Sequence, residues 1–383
     1  MKPTIHFDTL LLHADAACQS NADGAGAVAP PLSRPQSRSA SALHLLARRQ
    51  PDADARGTLI GAAEGAYETS PGPAHAVCFA SGLAALNAGA HSSLRPESHL
   101  HLVWYHGSLE SIKLYIKLRG GGSPSTPVQH IKFTTPTELP TSTLTSSDLV
   151  LIECPYNPYA QLMDLTDLRA CAGAANLMID ATLAPPPLSF ALACGAQVVM
   201  HSATKYFGGH SDLLSGAFVT HDRALAAALK DDRANMGAIP GNLEMWLLAR
   251  SLRTLGVRVR KQSATAGNVI KWFEKVHEGK VDGLKGLITK VWAGKLPSGQ
   301  YAPLFSVELW SPVAARAIPY LLKLARPATS LGGVETLVEW RAQYGGDISP
   351  QLLRISIGLE EAEDIIEDWM QALKKCVDVV SGL

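Results

Sequence analysis

Short apolar runs recur through the first half of the chain, with stretches of helical period between them. Residues 76–79, 99–103, 148–153, 176–180, 197–201 and 216–220 are each a few residues long and largely apolar, so each reads as a buried strand. Between several of them, residues 108–118 and 165–175 space their apolar positions as helices do. Such alternation predicts an α/β domain with a mainly parallel sheet and ligands at the strand ends. The Gly-, Ser-, Thr- and Pro-rich stretches 120–122 and 134–147 read as loops. Residues 1–56, rich in Ala, Ser, Pro and Arg and with little periodicity, read as an extended arm, with a disordered tail as the alternative.

Near Gly241 the pattern changes. Residues 243–276 are dense in Leu, Arg and Trp, and LLARSLRTL within them fits a helix. Residues 288–292, 304–309 and 353–357 alternate as antiparallel strands do, and 362–379 form an amphipathic last helix. The expected organisation is an arm (1–56), a large α/β domain (57–240) and a smaller α+β domain (241–383).

Composition narrows the partners. A chain of 383 residues suits about two or three domains. Its 34 Lys and Arg balance 34 Asp and Glu, so no global field favours nucleic acid or an acidic membrane. The six cysteines are scattered, with no C-x-x-C pair and no zinc spacing, which argues for no metal site and a reducing compartment. The opening MKPTIHFDTLLLHAD has an apolar stretch too short for a signal peptide or a membrane span, so the cytoplasm is the expected location.

Candidate chemistry concentrates in residues 197–212, QVVMHSATKYFGGHSD. A buried strand runs into Ser202 and Thr204, then Lys205, and then Gly208 and Gly209, where the backbone can turn sharply. A lysine placed in an interior by a strand loses hydration, which lowers its pKa and favours the amine that attacks carbonyls. Hydroxyls three residues and one residue before it could hold a phosphate. Together these features suggest pyridoxal phosphate on a Schiff-base lysine, against the alternative of a surface-loop lysine. In FASGLAA, a strand followed by Ser81 and Gly82 opens a helix whose N–H groups and dipole suit an anion, although serine is also an ordinary N-cap. Asp180 ends the strand LMID, where a carboxylate is costly to bury unless paired. Arg354 lies inside an apolar strand and needs an anion, either a structural partner or a substrate carboxylate, of which the second is preferred.

The run S-A-T-K-Y-F-G-G-H-S-D resembles the lysine signature of the Cys/Met-metabolism family of pyridoxal-phosphate enzymes, which includes cystathionine synthases and lyases, methionine lyase and O-acetylhomoserine sulfhydrylase. Further likenesses run from FDTLLLHA and APPL in the arm to the last helix. The resemblance implies fold type I, a pyridoxal 5'-phosphate cofactor bound to Lys205, and phosphate contacts from Ser202 and Thr204. It makes Ser81, Gly82 and Leu83 the counterpart of the family's S-G-M phosphate cradle. It assigns Tyr105, in WYHGS, to stacking on the ring and to proton transfer, with a core tyrosine as the alternative. ECPYNP resembles E-T-P-x-N-P, so Asn157 would bind the ring oxygen or the substrate. D-A-T-L-A-P stands against D-N-T-x-x-T-P, so Asp180 would face the pyridine nitrogen and keep the ring cationic. SLGGVETL implies that Ser330 and Leu331 line the site, and LLRISIGLE implies that Arg354 clamps the substrate α-carboxylate.

The departures are specific. No tyrosine lies between Met1 and Gly65, and none of Arg48, Arg49 and Arg56 aligns cleanly with the arm arginine of the family. Ala181 replaces the asparagine of D-N-T, His106 stands where glycine is frequent, and Thr329 stands where some γ-lyases carry an acid. The implied activity is γ-replacement on an O-activated homoserine by a thiol or carbon nucleophile. A β- or γ-elimination lyase acting on cystathionine or a related sulfur amino acid is the alternative, and a non-catalytic scaffold subunit is the rival of another class. The family's homodimers and homotetramers share active sites between subunits, and the resemblance extends that expectation to this chain.

Overall fold

The computed structural model describes residues 6–13, 51–67, 70–93, 99–103, 106–118, 129–132, 136–344 and 348–381. Contacts divide the chain into two units, one of residues 1–154 and 163–256, the other of residues 155–162 and 257–383.

The first unit is built on a seven-stranded sheet. Its strands are β1 (His75–Phe79), β2 (His99–Val103), β3 (Gln129–Lys132), β4 (Leu149–Glu153), β5 (Asn176–Asp180), β6 (Val198–His201) and β7 (Gly216–Thr220), in the order β1-β7-β6-β5-β4-β2-β3. The five strands from β6 to β3 pair in parallel, and β7 runs antiparallel to both β6 and β1. β4, β5 and β6 are buried along nearly their whole length, and strands without a polar side stand out in the sequence as apolar runs.

Val77, Phe79, Leu149, Leu151, Met178, Val198, Met200 and Phe218 point to one face. There they pack with Ala85 and Leu86 of helix α3 (Gly82–Ser93), Ile112 and Tyr115 of α4 (His106–Leu118), and Ala226 and Leu229 of α6 (Arg223–Asn235). Helices α2 (Pro51–Glu64) and α7 (Asn242–Leu252) pack on each other, and α2 also lies on β1 and β7. Helix α5 (Leu165–Ala172) starts at Asp164, whose carboxylate accepts from the Thr166 and Asp167 amides.

The parallel strands β4, β5 and β6 end level with one another. Glu153 pairs with Asp180, and Asp180 with Met200, so the residues following these strands emerge on one edge. That edge is where open α/β sheets bind their ligands.

Residues read as an extended arm are partly helical: α1 (Phe7–His13) and the start of α2 fall within 1–56. Pro51 opens α2, a position where its missing N–H costs nothing. The Gly- and Ala-rich helix that follows has too little apolar contrast around its axis to show a period. Its small side chains are instead a packing device, since a methyl group at Gly57 would lie 3.3 Å from the Ala76 carbonyl carbon of β1. The segment APPL and the arginines Arg48 and Arg49 lie outside the described residues, as does the Arg56 side chain.

The second unit holds a five-stranded sheet of β8 (Ile288–Trp292), β9 (Leu304–Leu309), β10 (Arg326–Pro327), β11 (Leu337–Trp340) and β12 (Leu352–Ser356), in the order β10-β11-β12-β9-β8. Its helices are α8 (Leu255–His277), whose first two residues belong to the first unit, α9 (Pro312–Leu321) and α10 (Ala362–Ser381). The run LLARSLRTL, read as helical, spans the last turns of α7 and the first residue of α8, because the chain turns at Arg253 and Thr254 and the Thr254 amide bonds back to Ser251 O. Phe273 of α8 meets Phe305 of β9 and Trp369 of α10 edge-on, with ring centroids 5.9 and 4.9 Å away. The five described cysteines are free, and burial pushes the Cys154 thiol up to about 11. No helix among the described residues is long and apolar enough to cross a membrane.

Candidate active site

In the first unit the expected residues meet through a continuous set of contacts at the edge where the parallel strands end. Asp180 is buried, and its Oδ1 accepts from the Thr182 amide at 3.0 Å and from the Thr182 hydroxyl at 2.5 Å. Thr182 Oγ1 in turn accepts from the Ser202 amide at 2.8 Å, linking the end of β5 to the end of β6. Ser202 lies against Gly82, where an added methyl would stand 2.9 Å from Ser202 Cβ. Gly82 therefore has to be glycine for α3 to begin this close to the lysine loop.

Ser81 caps that helix, its hydroxyl accepting from the Ala84 amide at 3.1 Å. Gly216 at the start of β7 lies beneath. A methyl there would collide with Ser81 O and stand 2.8 Å from Gly82 Cα. Gly216→Ala is therefore expected to destabilise the protein by about 1–3 kcal/mol, read as a fall in the denaturation midpoint.

Lys205 is half-buried, on a turn held by main-chain bonds. Its amide donates to Ser202 O at 3.0 Å, and its carbonyl accepts from the Gly209 amide at 2.6 Å. Gly209 has φ of 66°, so a side chain there would be strained. The Thr204 hydroxyl is engaged within the protein. It donates to Ser215 O at 3.2 Å and accepts from the Ser215 amide at 3.0 Å, tying the lysine loop to the residue before β7. A hydroxyl has one proton to donate, so a phosphate contact from Thr204 requires that bond to be given up. The Ser202 hydroxyl makes no hydrogen bond among the described residues. Leu83 is 46% exposed, as befits a residue offering only its amide.

Burial pushes the Asp180 carboxyl up from its ordinary value, while the two Thr182 bonds and the nearby His201 work against that rise. Its Oδ2 takes no hydrogen bond from any described residue. A buried carboxylate with one oxygen fixed and the other open is matched to a cationic N–H. Sequence reasoning missed a second buried pair beside it. His201 Nε2 donates to Glu64 Oε1 at the end of α2, and the imidazole packs on Phe207 with centroids 4.4 Å apart. Nothing in the string AAEGAY marks Glu64 as the partner of a histidine 137 positions later.

The second unit gathers Asn157, Ser330, Leu331 and Arg354. Glu339 of β11, Arg354 of β12 and Ser306 of β9 stand in register, a buried polar row across the sheet. Ser306 donates to Pro158 O at 2.7 Å, which anchors the 155–162 excursion and with it Asn157. Arg354 Nη1 donates to Asn157 Oδ1 at 3.3 Å, and Nη2 donates to Thr329 O at 2.6 Å and Ser330 O at 3.0 Å. Glu339 Oε2 lies 2.8 Å from Arg354 Nη2, so the arginine has a structural counter-ion. Leu331 is buried, and Gly332 after it turns with φ of 80°. Tyr105 lies outside the described residues, as does the His106 side chain.

Residues 64–374 match the family described as Cys/Met metabolism PLP-dependent enzyme. Among curated relatives, cystathionine beta-lyase of Lactococcus lactis subsp. cremoris is 33% identical over 244 residues, covering 59% of this chain and 63% of the relative. A putative cystathionine gamma-lyase of Streptomyces coelicolor is 36% identical over 245 residues, covering 61% of each. The matched region thus spans less than two thirds of these relatives' own length. The crystal structure of metB from Corynebacterium glutamicum superposes with a TM-score of 0.82 at 26% identity, covering 97% of this chain and 98% of that one.

Proposed function

Since the chain belongs to the Cys/Met metabolism family of PLP-dependent enzymes, we propose that it binds pyridoxal 5'-phosphate and replaces the γ-substituent of an O-activated homoserine. The observation that carries the cofactor is Asp180, with Oδ1 held by Thr182 and Oδ2 open to a cationic ring nitrogen. The donor set is consistent with it: Lys205 for the aldehyde, and the N-terminus of α3 with Ser81, Gly82, Leu83 and the Ser202 hydroxyl for the phosphate. Bound there, the cofactor supplies an electron sink for charge developing at the substrate α-carbon.

The residues divide the remaining work. Lys205 Nζ takes and returns the proton at the α-carbon, and Asp180 holds the ring nitrogen protonated. Tyr105 covers the ring and assists proton transfer. Arg354, with Asn157, Ser330 and Leu331 around it, orients the substrate carboxylate. A dimer or tetramer with shared sites, working in the cytoplasm on a small amino acid, completes the proposal.

Replacement is preferred because Thr329, rather than an acid, precedes Ser330. Elimination from cystathionine or a related sulfur amino acid is the second reading, favoured by the lyase names of the Lactococcus and Streptomyces relatives. Purified holoenzyme given O-acetylhomoserine and cysteine is expected to yield cystathionine. Formation of ketobutyrate or pyruvate without any replacement product, from that mixture or from cystathionine alone, overturns the preference.

A further inference from the structure

The arginine expected to receive the substrate carboxylate already shares an anion with a second arginine. Glu339 is buried on β11 directly opposite Arg354. Its Oε2 lies 2.8 Å from Arg354 Nη2, and its Oε1 accepts from Arg341 Nη1 at 3.1 Å. One carboxylate therefore bridges two guanidinium groups, one oxygen to each, and the three groups together carry a single net positive charge. Arg354 does not depend on Glu339 for its place. Two main-chain carbonyls, of Thr329 and Ser330, and the Asn157 side chain also hold it. Glu339 thus contributes charge more than position, in a buried setting where charge is weakly screened.

We propose that Glu339 is a specificity-determining residue. It acts as an internal counter-ion with which a substrate carboxylate must share Arg354, and it holds carboxylate binding at this site below what the arginine alone would give. Arg341 sets how strongly it does so, by drawing part of the carboxylate away. Recognition then rests less on the α-carboxylate common to all amino acids and more on the rest of the substrate. This proposal depends on the reading that Arg354 binds that carboxylate.

The test compares L-alanine with L-alaninamide, which share an amine and differ in the carboxylate, by calorimetric titration of the holoenzyme. Glu339→Gln keeps the shape and an acceptor oxygen while removing the charge. It is expected to raise the preference for acid over amide by about tenfold. Arg341→Gln returns the whole carboxylate to Arg354 and is expected to lower that preference several-fold. Opposite signs are the signature, because a merely structural role for Glu339 would make both variants worse.

An unchanged or reduced acid preference in Glu339→Gln overturns the proposal. If that variant does not fold, Arg341→Gln decides alone, and an undiminished acid preference there overturns it. The paired variant E339Q/R354Q removes both buried charges together. Should it keep the wild-type preference, the carboxylate is not held by Arg354 and the underlying reading falls. Should it lose the preference while Glu339→Gln shows no gain, only the role of Glu339 falls.

Discussion

Lys205→Ala is expected to leave a folded, colourless protein with turnover reduced on the order of 10³-fold or more. The fold survives because the turn carrying Lys205 is held by its main chain. The Lys205 amide bonds to Ser202 O, the Gly208 amide to Ala203 O and the Gly209 amide to Lys205 O, and alanine keeps all three. The wild-type protein should show a visible absorption band from cofactor linked to the lysine, and the variant should lack it while its circular dichroism stays unchanged. Added methylamine should restore part of the turnover, because the missing group is an amine and the space for it remains. A variant that keeps both band and turnover removes Lys205 from its assigned role. A wild-type protein that stays colourless after cofactor is added favours the scaffold alternative.

The features legible in the sequence are those that a short string can carry. The central strands of the first unit are buried along nearly their whole length, which writes them as apolar runs. β3, at the edge of the sheet, reads QHIK and gives no such signal. β11 reads LVEW, its apolar pattern broken by the glutamate that answers Arg354. Ser81, Gly82, Asp180, Ser202 and Lys205 stand out as candidates in the sequence because each sits in a local motif beside a strand end. What was missed is relational. Thr182 appeared only as the third letter of D-A-T, yet it joins Asp180 to Ser202. Thr204 reads as a phosphate ligand, and the sequence gives no sign that its hydroxyl also engages Ser215, eleven positions away. Arg354 looked solitary in its own strand because its counter-ion stands on the neighbouring one. Pairings across a sheet depend on register, and a single strand's sequence does not state its register.

Asp180→Asn should separate the chemistry from the stability of the same residue. Asparagine keeps an oxygen for the Thr182 amide and hydroxyl, so the link from β5 to Ser202 should persist. It removes the negative charge, and with it the means of holding the cofactor nitrogen protonated, so turnover should fall about a hundredfold or more. The effect on the cofactor-free protein should run the other way. Burial raises the Asp180 carboxyl above its ordinary value, outweighing the Thr182 bonds and His201. A carboxyl whose folded pKa exceeds its unfolded one makes the folded state less favourable once ionised. Cofactor-free wild type should therefore gain stability as pH falls through that raised pKa, and Asp180→Asn should not. At neutral pH the cofactor-free variant should melt above the cofactor-free wild type, and the gap should close in acid. Cofactor should then raise the wild-type melting temperature more than that of the variant, because only the wild type has a charge for the ring nitrogen to meet. A variant less stable than wild type at neutral pH without cofactor would mean that Asp180 holds the strand ends together by its charge. Its place in the site would then be structural.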